Sequence, residues 1–135
     1  MRNLLMIALG GAGGALLRYG IGLGIKHWTA GSHWATLTVN LVGSFVLGFL
    51  WAAYSARLPR EAQNLLFVGL LGAFTTFSTF ELDLHRLWTG GHVRTALVYL
   101  LVSVLGGVGM LSLGAVAGHV GHERRLQAQA GRPLE

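Results

Sequence analysis

The chain has 135 residues, of which 53% are hydrophobic and 11% charged, with a formal net charge of +5 and no cysteine. A soluble globular domain carries charge on about a quarter of its residues, so water is not the main solvent of this chain, and disulfides and thiolate metal sites are excluded without identifying a compartment. The positive balance does not point to nucleic acid, because the cations sit at the ends of apolar runs, where lysine and arginine anchor and orient membrane spans.

Four stretches, 3–17, 27–56, 62–80 and 95–122, contain no Asp, Glu, Lys or Arg. A bilayer core takes about 20 apolar residues per helix. The runs therefore predict an all-α membrane protein with four transmembrane helices, from Leu4 to Ile25, Trp34 to Ala56, Ala62 to Asp83 and Val93 to His119. The first run also has the look of a secretory signal, with Arg2 ahead of it and small residues at Gly13 to Ala15. It continues past that point through Tyr19 to Ile25, long enough to span, and is kept as the first helix. Connections are short: 27–33 is rich in turn formers, Arg57-Leu58-Pro59-Arg60 is a charged turn, and Thr89-Gly90-Gly91-His92 is a hinge. The result is one four-helix transmembrane domain, 1–120, followed by a polar tail, 121–135.

Arg2, Arg57, Arg60, Arg124, Arg125 and Arg132 lie on one side of this arrangement, against Lys26, Arg86 and Arg94 on the other. Arg132 is remote from the last span and counts for less. The excess favours both ends in the cytoplasm without enforcing it, and insertion in both orientations stays open. Trp28, Trp34, Trp51 and Trp88 fall near span ends, the usual aromatic belt. Gly10 with Gly14, and Gly114 with Gly118, are four apart, a spacing that lets helix backbones approach closely in lipid.

The third span carries the most informative segment. From Gly69 to Phe80 it holds four hydroxyls and three phenyl rings, and the run Thr75-Thr76-Phe77-Ser78-Thr79-Phe80 behind Gly69 and Gly72 is poor helix material. It reads as a membrane helix broken at mid-membrane and lining a path. Helical spacing assembles a polar track around it. Asn40 is a lone amide in the second span, either interhelical glue or part of the path. Phe77 and Phe80 share a face, Thr76 and Thr79 form a neighbouring pair, and Tyr99 and Ser103 share a face of the fourth span. Arg18 is the only charge well inside a span, which leaves it either snorkelling to the interface or furnishing an anion-drawing vestibule.

The acidic residues Glu61, Glu81 and Asp83 are placed at the ends of the third span, so no buried carboxylate is expected to pair with Arg18 or to exchange protons for a cation. His27, His33, His85 and His92 are assigned to loops, and the pair His119 and His122 lacks a third metal ligand. No nucleophile has an evident base, which argues against an enzyme. Four helices cannot enclose a generous pore alone, so an oligomer is expected.

The segments Gly11 to Tyr19, Thr36 to Phe45 and Gly69 to Phe80 together resemble the Fluc (CrcB) fluoride channel family, in that family's order and spacing, over about residues 3 to 118. The resemblance implies an antiparallel, dual-topology homodimer of four-helix subunits in the cell inner membrane. It would conduct fluoride passively out of the cytoplasm, through two pores, and so protect against fluoride toxicity. It further implies a structural sodium ion (Na+) between the subunits, held by the backbone carbonyls of Gly72 and Thr75. Phe77 and Phe80 would turn ring edges to the anion, and Asn40, Ser78, Thr79, Tyr99 and Ser103 would replace its water. The implied partners are fluoride, a second copy of the chain and the lipid bilayer. Gly106-Gly107 departs from members that carry a further hydroxyl there, which would shorten the track. Two rival readings are a small multidrug-type carrier, which should bury a glutamate in the first span where this chain has Arg18, and a non-transporting membrane adaptor, which would leave the Thr75 to Phe80 cluster without purpose.

Overall fold

The computed structural model describes the backbone of residues 1–26 and 31–130 and the side chains of 1–25 and 31–121. Expectations for Lys26, His27, Trp28, His122, Arg124, Arg125 and Arg132 fall outside the described side chains. Helix α1 runs Arg2–Lys26 and α2 Ser32–Tyr54. A third, compound segment follows as α3 Arg60–Gln63, a wide π-helical stretch Asn64–Leu71, α4 Gly72–Phe74 and α5 Phe77–Thr89. Helix α6 covers Val93–Ala130 and so continues through most of the polar tail. Among the described residues there are four helical segments long and apolar enough to cross a membrane: Arg2–Ile25, Ser32–Tyr54, Arg60–Thr89 and Val93–Gly121.

The element ends have local causes. The turn after α2 is closed by Gln63, whose Nε2 donates to the carbonyls of Ser55 and Leu58 at 2.9 and 3.0 Å. Pro59, held at φ −62°, precedes α3 because its missing N–H costs nothing there. Arg2 pairs with Glu61 and ties the start of α1 to that of α3. Between α5 and α6 the chain reverses at Gly90-Gly91, and Gly91 alone among the described residues has a left-handed backbone, φ 78°.

Helix α1 packs mainly on the π-helical stretch and α4, and α2 mainly on α6. Glycine decides both contacts. A Cβ on Gly10 or Gly14 would land on the carbonyl of Leu65 or Leu70, and one on Gly69 would come within 2.7 Å of the Ile7 carbonyl. On the other side, Gly48 faces the Leu111 carbonyl, Gly114 that of Phe45 and Gly118 that of Phe49. Lipid supplies no hydrophobic push between helices, so such backbone contact is how they hold together. A small core of Leu37, Phe80 and Tyr99, bordered by Leu41, Leu84, Leu87 and Leu100, joins α2, α5 and α6. Most large apolar side chains face outward, with Leu4 and Leu16 each 71% exposed, as expected of a chain surrounded by lipid or by another copy.

Two placements differ from the sequence reading. His33 lies in the first turn of α2 and His85 inside α5, not in loops, because α2 begins two residues before the span drawn from Trp34 and α5 continues past the span drawn to Asp83. Asp83 is not at a span end: α5 continues six residues beyond it, and the carboxylate is buried.

Candidate functional site

The helical path of the third segment is interrupted by two extended residues, Thr75 (φ −79°, ψ 152°) and Thr76 (φ −147°, ψ 121°). In a continuous helix the amide of Thr76 would bond the carbonyl of Gly72, and that of Thr79 the carbonyl of Thr75. Both amides are diverted. Thr76 N–H donates to Asn40 Oδ1 at 2.8 Å, and Thr79 N–H donates to Thr76 Oγ1 at 3.3 Å, which caps α5. Asn40 returns the bond, its Nδ2 donating to the Thr76 carbonyl at 3.0 Å, so one side chain replaces a residue's worth of backbone pairing. The carbonyls of Gly72 and Thr75 are thereby released from helical pairing. Gly72 is also exposed. Thr75 turns its hydroxyl back to the Leu71 carbonyl at 3.0 Å, and Gly43 sits where any Cβ would strike the Thr75 methyl.

One face of α5 builds a file of rings. Phe77 and Phe80 have centroids 5.6 Å apart, Phe80 and Tyr99 5.3 Å, and Tyr99 meets His33 edge-on at 5.7 Å. Phe77 is 69% exposed and Phe80 5%. Two hydroxyls beside this file, Tyr99 OH and Ser103 Oγ, are buried without a hydrogen bond of good geometry, Tyr99 OH having only the Thr36 hydroxyl near it. Buried hydroxyls normally find one, so this pair is open to an acceptor. Ser78 is exposed, 3.4 Å from Thr76 Oγ1.

A second face borders a cavity of about 520 Å³, lined among others by Arg18, Thr36, Thr76, Thr79, Asp83 and Arg86. Asp83 is 2% exposed and accepts from Ser32 Oγ at 2.8 Å and Thr36 Oγ1 at 2.7 Å, with Arg86 Nη1 at 4.0 Å. This corrects the expectation that no carboxylate is buried. Sequence reasoning missed it although a signal was present: Thr76, Thr79, Asp83 and Arg86 are spaced i, i+3, i+7, i+10, one stripe of a helix. What no spacing could supply is that Ser32 and Thr36 of α2 would meet it.

The predicted site residues are therefore divided. Phe77, Phe80 and Tyr99 are in ring contact, with Ser103 one turn further along α6. Thr79 and Arg18 share the cavity, and Asn40 bonds Thr76 at the interruption that Gly72 and Thr75 precede. These are features of a polytopic membrane protein of the channel or carrier kind, with a backbone interruption and polar groups facing inward.

Comparison with known proteins is consistent with that class. The family model described as CrcB-like protein, Camphor Resistance (CrcB), matches residues 5–115. Proteins named Fluoride-specific ion channel FluC are similar over most of this chain. One from Rhodospirillum centenum is 43% identical over 118 residues, 84% of this chain and 93% of its own. One from Magnetococcus marinus is 44% identical over 117 residues, 84% and 95% respectively, and one from Thermus thermophilus 43% over 116, 84% and 93%. The chain belongs to the CrcB family.

Proposed function

We propose that the chain is a subunit of a fluoride-selective ion channel. It lets fluoride leave the cytoplasm across the cell's inner membrane, down its electrochemical gradient, and so lowers internal fluoride and limits its toxicity. The observation that carries this reading is the pair of buried donors without a hydrogen bond of good geometry, Tyr99 OH and Ser103 Oγ, beside the Phe77 and Phe80 rings. Fluoride is the smallest halide and the strongest hydrogen-bond acceptor, so hydroxyls with a free hydrogen in a narrow site replace its water better than that of chloride. Ring edges are the positive part of a phenyl quadrupole and favour an anion without trapping it. Asn40 keeps one amide hydrogen beyond that given to Thr76 and adds a donor at the interruption.

The working unit in this reading is an antiparallel homodimer inserted in both orientations, its third helices broken at mid-membrane where they meet. A sodium ion lies between the subunits. The carbonyls of Gly72 and Thr75 fit it, being oxygen donors released from their own helix; two from each copy give four, enough for a hard monovalent cation. When bound, the ion supplies positive potential between the pores. The passive mode rests on the relatives' naming as ion channels, not on any lack of a buried carboxylate.

The test is fluoride efflux from proteoliposomes loaded with potassium fluoride, followed with a fluoride electrode after a potassium ionophore is added, with chloride efflux in parallel. Fast fluoride release without chloride release is expected. No release of either ion by folded protein would overturn the reading in favour of a membrane adaptor, and equal release of both would remove the selectivity.

A further inference from the structure

Among the described residues Asp83 is the one buried charged group, and this account of conduction leaves it without a role. A carboxylate 2% exposed in a membrane protein is costly unless fully partnered, and an anion path is an unfavourable place for a negative charge. Its partners explain how it persists. Ser32 and Thr36, one turn apart on α2, both donate to it, one to each oxygen, at 2.8 and 2.7 Å. Arg86 lies a turn along α5, with its guanidinium 4.0 Å from Oδ1 and its side chain 64% exposed. Arg18 of α1 faces the same cavity.

Two consequences follow for anything negative that enters. First, the hydroxyl hydrogens of Ser32 and Thr36 are directed onto the carboxylate, so these two residues present only oxygen lone pairs to the cavity. Elsewhere in the lining Thr76 Oγ1 donates to Thr79 Oγ1 at 3.1 Å, which leaves the Thr79 hydroxyl hydrogen as the free one of that pair. Second, the charges of Arg18, Arg86 and Asp83 sum to +1 rather than +2. A cavity with two unopposed guanidiniums attracts and retains anions of any size; with one offset, attraction is weakened and donor geometry counts for more in the choice among anions.

Resting on the channel reading above, and taking this Arg18-lined cavity as the approach to the ring-lined path, we infer that Asp83 is a charge-setting and positioning residue of that approach: it turns the Ser32 and Thr36 hydroxyls away from the cavity and offsets one guanidinium, and thereby helps exclude anions larger than fluoride. It touches no permeating ion in this role and acts through the two hydroxyls and Arg86.

The experiment compares wild type, Asp83→Asn, Asp83→Glu and Thr36→Val in the paired fluoride and chloride efflux assay, each first checked for folded, monodisperse protein by size exclusion. Wild-type fluoride efflux tests the channel reading by itself; the ratio of chloride to fluoride efflux among the variants tests Asp83. Asp83→Asn keeps the volume but removes the charge and frees one hydroxyl hydrogen, so that ratio should rise on the order of tenfold, the effect of about one unit charge near a partly screened path. Asp83→Glu should restore exclusion, and Thr36→Val should raise the ratio less than Asp83→Asn because the charge remains. A merely structural Asp83 would lower both fluxes together and leave their ratio unchanged. An unchanged ratio in folded Asp83→Asn overturns the inference whatever happens to the rate, and so does an equal loss of exclusion in Asp83→Asn and Asp83→Glu.

Discussion

Asn40 connects two helices through a single amide, accepting from Thr76 N–H and donating to its carbonyl. Asn40→Asp keeps the acceptor but sets an oxygen against the Thr76 carbonyl and adds a negative charge. A unit charge opposing an anion at ~4 Å costs about 4 kcal/mol at an effective dielectric of ~20, so fluoride efflux should fall by about hundredfold or more, and wild-type flux from the variant would remove Asn40 from the path. The two phenylalanines separate a flux effect from a folding effect. Phe77 is 69% exposed and Phe80 5%, so Phe77→Ile should leave thermal stability nearly unchanged while Phe80→Ile loses ring contacts with both Phe77 and Tyr99. Such ring pairs are worth about 0.5–1.5 kcal/mol beyond their burial. Both substitutions should nevertheless depress fluoride efflux, and normal flux through Phe77→Ile would deny the exposed ring a place beside the ion. At this scale the sequence showed which residue types stood together but not their partners: Asn40 was legible as a buried amide, whereas its bonding to Thr76 across 36 positions was not.

Among elements, the glycine spacing read from the sequence is what the helix contacts use. Gly114 lies against the Phe45 carbonyl, so Gly114→Leu has nowhere to place its side chain without parting α2 from α6. Overpacking of this kind costs about 1–3 kcal/mol, to be seen as a lower melting temperature in detergent. Gly109, where a Cβ would meet nothing within 4 Å, serves as the control, and Gly109→Leu should change stability by less than ~0.5 kcal/mol in the isolated subunit. Equal effects of the two would mean that α2 and α6 do not pack through these carbonyls. The interruption of the third segment shows the other side of the same physics: a helix can release backbone groups when a neighbour supplies substitutes, and Asn40 and the Thr76 hydroxyl do so here.

For the whole molecule, the proposed sodium ion and second copy act on stability by mass action. A ligand at a hundred times its dissociation constant adds about 2.7 kcal/mol. Exchanging sodium for a bulky organic cation should therefore lower the melting temperature and promote dissociation, while Thr75→Ala, which removes a hydroxyl bonded to Leu71 but not the carbonyl, should keep that sodium dependence. Melting that is indifferent to sodium would count against the ion. The Arg2 and Glu61 pair, by contrast, is exposed at one partner, 76% against 29%, and Glu61→Gln should leave the melting temperature nearly unchanged, the more so at high salt.

The sequence by itself determined the four apolar helices, the contact glycines Gly10, Gly14, Gly114 and Gly118, and the family, because hydrophobic run length and residue spacing are local properties of a chain. Only the tertiary structure decided which polar groups meet. Asp83 reads locally as a charge near the end of an apolar run, and it is buried because α2 delivers Ser32 and Thr36 to it from 51 and 47 residues away. The carbonyls of Gly72 and Thr75 are released because Asn40 and the Thr76 hydroxyl intercept the amides that would have bonded them. A hydrogen bond in lipid is settled by which helices lie side by side, and that depends on packing across the whole chain rather than on the periodicity of any one segment.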